Sequence, residues 1–343
     1  MHGARGAATM SRMKHPSPSL PGLLPALALS ALLGAGCGKD SSPAPALPPL
    51  PGTLGMQDGI QQDFWDAAKT KKKTHGEIRG GKQVGDWQWW FENGAPEKIG
   101  HFEDGVLDGP TIEWYPNGAK KLQQTWSHGK VIDVATAWHE NGQKMSETTF
   151  VNNVAQGPAK EWYPDGKLFH EGAMVNGKQE GLWVTYHPTG EKAIEGNFKD
   201  GKQEGHFVSY HANGQKSSEG EYVAGAQVGP WKTWYPGGTV ELEGSFAEGK
   251  HDGPWVHWYE NGEMRDKVVF KAEVLDGPFE THAPGGKLTA SGVYKAGKRE
   301  GVWFYFKDDG TLDTAKSGVF TADARTGDLP ADAVPPTDAG AKK

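Results

Sequence analysis

Three histidines, His139, His187 and His211, stand at multiples of 24 residues from one another, each three places before a glycine. Imidazoles in register invite zinc, which needs N–metal bonds of about 2.0–2.1 Å. If the 24-residue period reflects neighbouring β-hairpins, equivalent positions fall about 9.6 Å apart, too far for two rings to share an ion. The same column holds Tyr115, Tyr163, Tyr235 and Tyr259. Histidine there is read as an aromatic filler, and no metal is expected. Asp308-Asp309-Gly310-Thr311-Leu312-Asp313 hints at a calcium loop but lacks the distal Glu and falls where every other unit has a turn. No paired carboxylates, Ser/His/Asp set or phosphate loop stand apart from the period. The expectation is a protein that is not an enzyme and takes no cofactor.

The period must position whatever these residues do. Gly94, Gly118, Gly142, Gly166, Gly190, Gly214, Gly238, Gly262, Gly286 and Gly310 recur without a slip. A fixed period of this size marks units that stack on their neighbours to bury an apolar face. Within one unit, Gly229 to Gly253, a strand with Trp231, Trp234 and Tyr235 meets a Pro236-Gly237-Gly238 turn, then a strand with Val240, Leu242 and Phe246. Sister turns read Pro116-Asn117-Gly118 and Pro164-Asp165-Gly166. Proline presets the first corner and glycine accepts the left-handed position that closes a three-residue hairpin loop. Pro110, Pro158, Pro230, Pro254 and Pro278 follow a glycine taken to open the strand, where an N–H is not needed. The expected fold is all-β: an elongated single-layer antiparallel meander of about ten hairpin repeats over residues 76–320.

A single layer has no enclosed interior, so aromatic ladders must replace one. One column runs Trp90, Trp114, Trp138, Trp162, Tyr186, Tyr210, Trp234 and Trp258; another runs Trp87, Trp183, Phe207, Trp231, Trp255, Phe279 and Trp303. Three residues apart, they belong on opposite faces, each ring packing on its equivalent in the next repeat. A third column, from Phe102 to Tyr294, lines the second strand. Thr111, Ala135 and Ala159 replace the large ring in three consecutive repeats, and glycine is lost at Asp133, Thr148 and Asn153. A shallow groove between Trp87 and Trp183 is therefore expected. The candidate binding residues are Trp87, Trp114, Tyr115, Trp138, His139, Trp162, Tyr163 and Trp183. Drift or a bend in the sheet is the plainer reading of the same residues.

Outside the array, residues 1–36 carry Arg5, Arg12 and Lys14 ahead of an apolar run and read as a signal peptide, with Met1 or Met13 as the start. The run ends Leu33-Gly34-Ala35-Gly36-Cys37, which resembles a bacterial lipobox with Gly34 where Leu is usual. That resemblance implies lipidation at Cys37, the only cysteine of the chain, and a place in the cell envelope. Gly38 resembles the outer-membrane sorting pattern if two membranes are present. Residues 37–56 read as a Pro/Ser-rich tether, and 57–75 as a cap segment, a short helix or irregular. Its cluster of Lys69, Lys71, Lys72 and Lys73 reads as a guard on the first sheet edge. Residues 321–343, poor in apolar side chains, read as a disordered tail. A net charge of -7 argues against nucleic acid as a partner.

Units of the form Gly-x-Trp-x-x-Trp-Tyr-x-Asn-Gly, then Glu-Gly-x-Phe-x-x-Gly-x-x-x-Gly, resemble MORN-variant repeats, a group that includes YwqK-type antitoxin-like proteins. The resemblance implies a hairpin array that binds proteins or lipids without enzymatic activity. With the export signal, the expected function is a monomeric, membrane-anchored scaffold presenting an aromatic-rich β surface to an envelope protein. Alternatives are a cell-wall or polysaccharide binder and an antitoxin-like neutraliser of a partner toxin.

Overall fold

Two kinds of turn alternate along the chain. At Tyr115-Pro116-Asn117-Gly118-Ala119 the Tyr115 N–H donates to the Ala119 carbonyl and the Gly118 N–H to the Tyr115 carbonyl, with φ of 86° at Gly118. This is the expected three-residue loop. At the opposite end, two successive residues hold positive φ, as at Asn176 (51°) and Gly177 (75°), the signature of the two-residue type I′ turn. Asn152-Asn153, Ala272-Glu273 and Ala322-Asp323 adopt the same pair without glycine.

The computed structural model describes residues 57–336. Cys37, the leader and the tether lie outside the described residues, as does the chain after 336. Among the described residues the protein is all-β, an open antiparallel sheet running from β1 (Gly59–Phe64) to β25 (Ala324–Gly327). Each strand pairs with its sequence neighbour, so the sheet is a meander in chain order. The period survives in the register: Gly109 pairs with Trp126 and Gly205 with Tyr222, four repeats later.

Each first strand of a hairpin is irregular in its middle. Gly85, Gly181 and Gly229 hold φ between 64° and 68°, and the register shifts on the preceding strand, as between Glu219 and Glu221. These are β-bulges, where the extra residue needs the left-handed conformation. The glycine therefore does not open the strand: β15 (Ala226–Trp234) begins three residues before Gly229. Proline after the bulge pairs with the following strand, as Pro230 with Ser245, and has no partner on the preceding one, where an N–H is not needed. Asp133 takes this conformation without being glycine (φ 60°).

Three expectations about the ends and the packing are corrected. Residues 57–75 contain no helix: β1 pairs with β2 (Lys72–Arg79), and Asp66 closes their connection by accepting from the N–H groups of Thr70 and Lys71. The edge strand is thus β1, and Lys72 and Lys73 sit on the second strand. The segment called a tail supplies β25, which pairs with β24 (Gly318–Thr321), while Arg325 donates to the Ser317 carbonyl. Burial also comes chiefly from rings of different columns interleaving; like rings meet at Phe279 and Trp303, 5.5 Å apart. Phe207 meets Tyr222 at 4.9 Å, Tyr222 meets Trp231 at 5.3 Å, Trp231 meets Phe246 at 5.8 Å and Phe246 meets Trp255 at 4.9 Å, all edge-on. Edge-on contact is the preferred geometry of aromatic quadrupoles.

Candidate binding surface

The two faces do different work. On the inner face, the rings of the Trp87 column lie over a glycine of the preceding strand. A Cβ on Gly76 would stand 2.1 Å from the Trp87 ring, and one on Gly172 2.3 Å from the Trp183 ring. The indole N–H then reaches the carbonyl of the residue after the glycine, as in Trp183 to Ala173 at 3.1 Å and Trp255 to Ser245 at 3.1 Å. Trp87 and Trp183 are buried at 2% and 6% exposure. They are core, not ligand-facing.

The expected groove between them is filled. Where Ala135 and Ala159 stand for the ring, the residue in the column of Gly220 is larger, Gln124 and Thr148, the latter paired with Ala159; before Thr111 the glycine stays, and a Cβ on Gly100 would stand 3.0 Å from Leu107 Cδ2. Leu107, Val131 and Ala155 are buried beside them. Thr111, Ala135, Ala159, Gln124 and Thr148 are all buried as well. Larger side chains in the neighbouring columns offset part of the lost ring.

Tyr115, His139 and Tyr163 also turn out to be structural. Tyr115 Oη donates to the Trp138 carbonyl at 3.0 Å, His139 Nε2 to the Trp162 carbonyl at 3.1 Å and Tyr163 Oη to the Tyr186 carbonyl at 2.8 Å. His187, His211, Tyr235 and Tyr259 repeat the contact. A carbonyl only accepts, so each imidazole carries its proton on Nε2. Each ring is a staple from one three-residue turn to the next hairpin. Beside it, Asn93, Asn117, Asn141 and Asn213 donate to the carbonyl 23 residues on. At the type I′ end, the N–H groups of Asn176, Asp200 and Ala224 donate to Gln156, Glu180 and Glu204. These staples were missed in the sequence. Their trace was visible: between Tyr115 and Tyr259 the turn column holds only Tyr or His, never Phe.

The outer face carries the other three candidates. Trp114, Trp138 and Trp162 are half-buried and join lysines in one row. Trp114 pairs with Lys120, whose ammonium lies 5.4 Å from the Trp138 ring; Trp138 pairs with Lys144, 5.7 Å from the Trp162 ring. Tyr210 pairs with Lys216, 6.0 Å from Trp234. Lys144, Lys192 and Lys216 bind Glu147, Glu195 and Glu219 three residues on. Where the ring is tyrosine, its hydroxyl reaches a glutamate of the preceding hairpin, Tyr186 to Glu171 and Tyr210 to Glu195. Burial, reinforced by the Glu195 bond, pushes the Tyr210 phenol up to about 12, so this hydroxyl stays a donor. The Lys160 bond lowers Glu171 and raises Lys160 in turn.

A shallow recess of about 180 Å³ opens near the first proline turns, lined by Trp89, Phe91, Glu97, Lys98, Glu113, Trp114 and Lys121. Elsewhere the acid and imidazole pairs are neighbours across strands. His257 Nδ1 meets Asp266, which also accepts from Arg265 at 2.8 Å; His170 Nε2 lies 3.6 Å from Glu161. Burial pushes His170 down to about 4 and Glu161 up. Proximity would favour charging both groups of that pair. Burial opposes charge on each, and the imidazole is held neutral. Among the described residues, no three His, Asp or Glu side chains form a set able to hold a metal. Asp309 of the calcium-like stretch accepts from Thr311 N–H at 2.9 Å as an ordinary turn.

Comparison with known proteins agrees with this architecture. The model of the MORN repeat variant matches residues 83–104, 134–152, 155–176, 179–200, 203–224, 227–248 and 252–272. It passes over residues 105–133 and everything after 272, where the same hairpins continue. No curated protein matches the chain. Among solved structures, the Photorhabdus luminescens Tc holotoxin pore is similar at 12% identity, over 73% of this chain and 14% of that one, with a TM-score of 0.18. A TcdB2–TccC3–Cdc42 crystal structure is similar at 11%, over 76% and 15%, with a TM-score of 0.15. The chain spans less than a fifth of either. Scores this low extend neither fold nor activity from those assemblies.

Proposed function

We propose, from the premise that this chain carries seven MORN repeat variants, that it is a non-catalytic binding scaffold whose partner is another envelope protein. The observation behind this reading is the outer row of half-buried rings. Trp114, Trp138, Trp162, Tyr186, Tyr210 and Trp234 offer amphipathic surface repeated every 24 residues. Protein interfaces concentrate such rings, with charged groups at their margins. The inner rings are spent on holding the sheet together. Lipidation at Cys37 would place the row in the bacterial cell envelope at the end of the 37–56 tether, as a monomer.

The test is a photo-crosslinking amino acid at Trp138, Trp162 or Tyr210 in living cells, compared with the same probe at Asn93, on the turn end. A discrete protein adduct from the row that is absent from Asn93 supports the reading. Equal labelling from both sets, or none, refutes it.

A second reading has one observation of its own. The recess at Trp89 combines rings with hydrogen-bonding groups of both signs, which suits a sugar, and the polysaccharide-binding reading is kept on that ground.

A further inference from the structure

The recess departs from the repeat at Trp89, Phe91 and Lys98. Trp89 stands in a column whose next members are Glu113, Ala137, Glu161, Thr185 and Ser209. The large ring builds one wall, and Phe91 and Trp114 contribute two more apolar surfaces. Lys98 lies over Trp89, 5.9 Å from the ring, and binds Glu113 at 3.2 Å; Lys121 lies 4.0 Å from the same carboxylate. Glu97 makes no hydrogen bond or ion pair among the described residues, so both its oxygens are free acceptors.

Two carboxylates face two ammonium groups, and the lining is neutral overall. A recess for an anion would carry surplus lysine, and one for a cation surplus acid. An apolar side chain of a protein would desolvate the Glu97 carboxylate without giving it a partner, at a cost in affinity. A neutral ligand bearing hydroxyls on its edge and C–H groups on its face satisfies both parts of the lining. The volume, about 180 Å³, is below the roughly 300 Å³ at which drug-sized pockets begin, so it holds one ring and not several.

We infer that this recess is a subsite for one neutral pyranose ring of a glycan, stacked on Trp89 and hydrogen-bonded by Glu97 and Lys98. The inference rests on the array being a non-catalytic binding surface, and it deepens the polysaccharide reading at a defined place. The outer row from Trp138 onward is left to the protein partner.

The experiment is calorimetric titration of the full chain with three neutral probes: chitotetraose, cellotetraose and maltotetraose. At least one binds saturably. Its affinity falls about tenfold in Glu97→Gln, is lost in Trp89→Ala and is unchanged at the exposed, distant Lys295→Ala. Glu97→Gln, at a solvent-reached position, keeps the melting temperature and so separates binding from folding. Binding by none of the three, or binding indifferent to both Glu97→Gln and Trp89→Ala, overturns the inference. A crosslinked peptide mapped into the recess overturns it too. Loss of the protein adduct at Trp138 sinks the scaffold reading, whatever the sugars do.

Discussion

The Trp255 ring lies over Gly244 so closely that a Cβ there would stand 2.0 Å from Cδ2 of the indole. With 1% of its surface exposed, Trp255 has nowhere to retreat. Gly244→Ala is therefore expected to destabilise the array by about 2–3 kcal/mol, as overpacking does. At Gly100 the neighbours are Leu107 Cδ2 at 3.0 Å and Thr111 Cγ2 at 3.1 Å, both able to shift, so Gly100→Ala should cost less than half as much. Urea unfolding of the two variants, read alongside amide exchange in the flanking strands, decides the order.

Indole hydrogen bonding separates two tryptophans of that column. Trp183 Nε1 donates to the Ala173 carbonyl, whereas the buried Trp231 Nε1 has no partner. Phe207 already occupies the same column. Trp231→Phe should therefore cost roughly 1 kcal/mol less than Trp183→Phe, the worth of one hydrogen bond. Equal losses in paired urea titrations would show that the indole bond contributes nothing.

The staples are tested one atom at a time. Tyr163→Phe removes only the hydroxyl that caps the Tyr186 carbonyl. A loss of about 0.5–1.5 kcal/mol is expected. Faster amide exchange should be confined to the hairpins on either side of Tyr163, because contacts in such an array reach only its neighbours. Exchange that rises evenly along the whole chain would contradict local stapling.

Acid should loosen the middle of the array. Burial holds His170 at about 4, below its ordinary 6.5. Between those values the unfolded chain binds a proton that the folded chain refuses, so stability rises with pH there. The contribution is fully present above pH 6.5 and is lost as pH falls through 4, with an upper bound of about 3 kcal/mol. Glu161, raised by burial, acts in the opposite sense, losing stability as pH rises through its elevated value. Replacing His170 by Ile, the residue at the equivalent Ile194, should flatten the stability curve between pH 4 and 6.5. An unchanged curve would mean the imidazole is solvated.

Most of the fold was readable because the glycine and proline columns state their own backbone conformations. The three-residue loops and the opposed faces of Trp87 and Trp90 followed from spacing alone. The type I′ turns hid because Ala224, Glu248 and Ala296 occupy positive-φ positions without looking like turn residues. β25 hid because Ala324–Gly327 is poor in apolar residues; strand pairing there rests on backbone bonds and on Arg325. The supposed groove failed for a clearer reason. A column read by itself shows Ala135 as an empty place, whereas in the fold Ala135 and its partner Thr148 are both buried.

Of the eight candidate residues, Trp87 and Trp183 are buried and Tyr115, His139 and Tyr163 are stapled to the next hairpin. Trp114, Trp138 and Trp162 remain on the outer row. A ring and a staple look alike in sequence, since both recur every 24 residues. What tells them apart is the polar tip and its partner, which only the fold supplies.

The ring packing of the inner face depends on rings and small residues being paired across strands. The most direct measurement is a double-mutant cycle at Gln124 and Ala135. Ala135→Trp alone should destabilise, because Gln124 holds the column of Gly220, where a Cβ would stand 2.2 Å from the Trp231 ring, and Gln124→Gly alone should leave a void. Together they recreate the pairing seen at Gly220 and Trp231, and should recover at least about 2 kcal/mol of the summed loss. Simple additivity of the two losses would show that the inner face is not built this way.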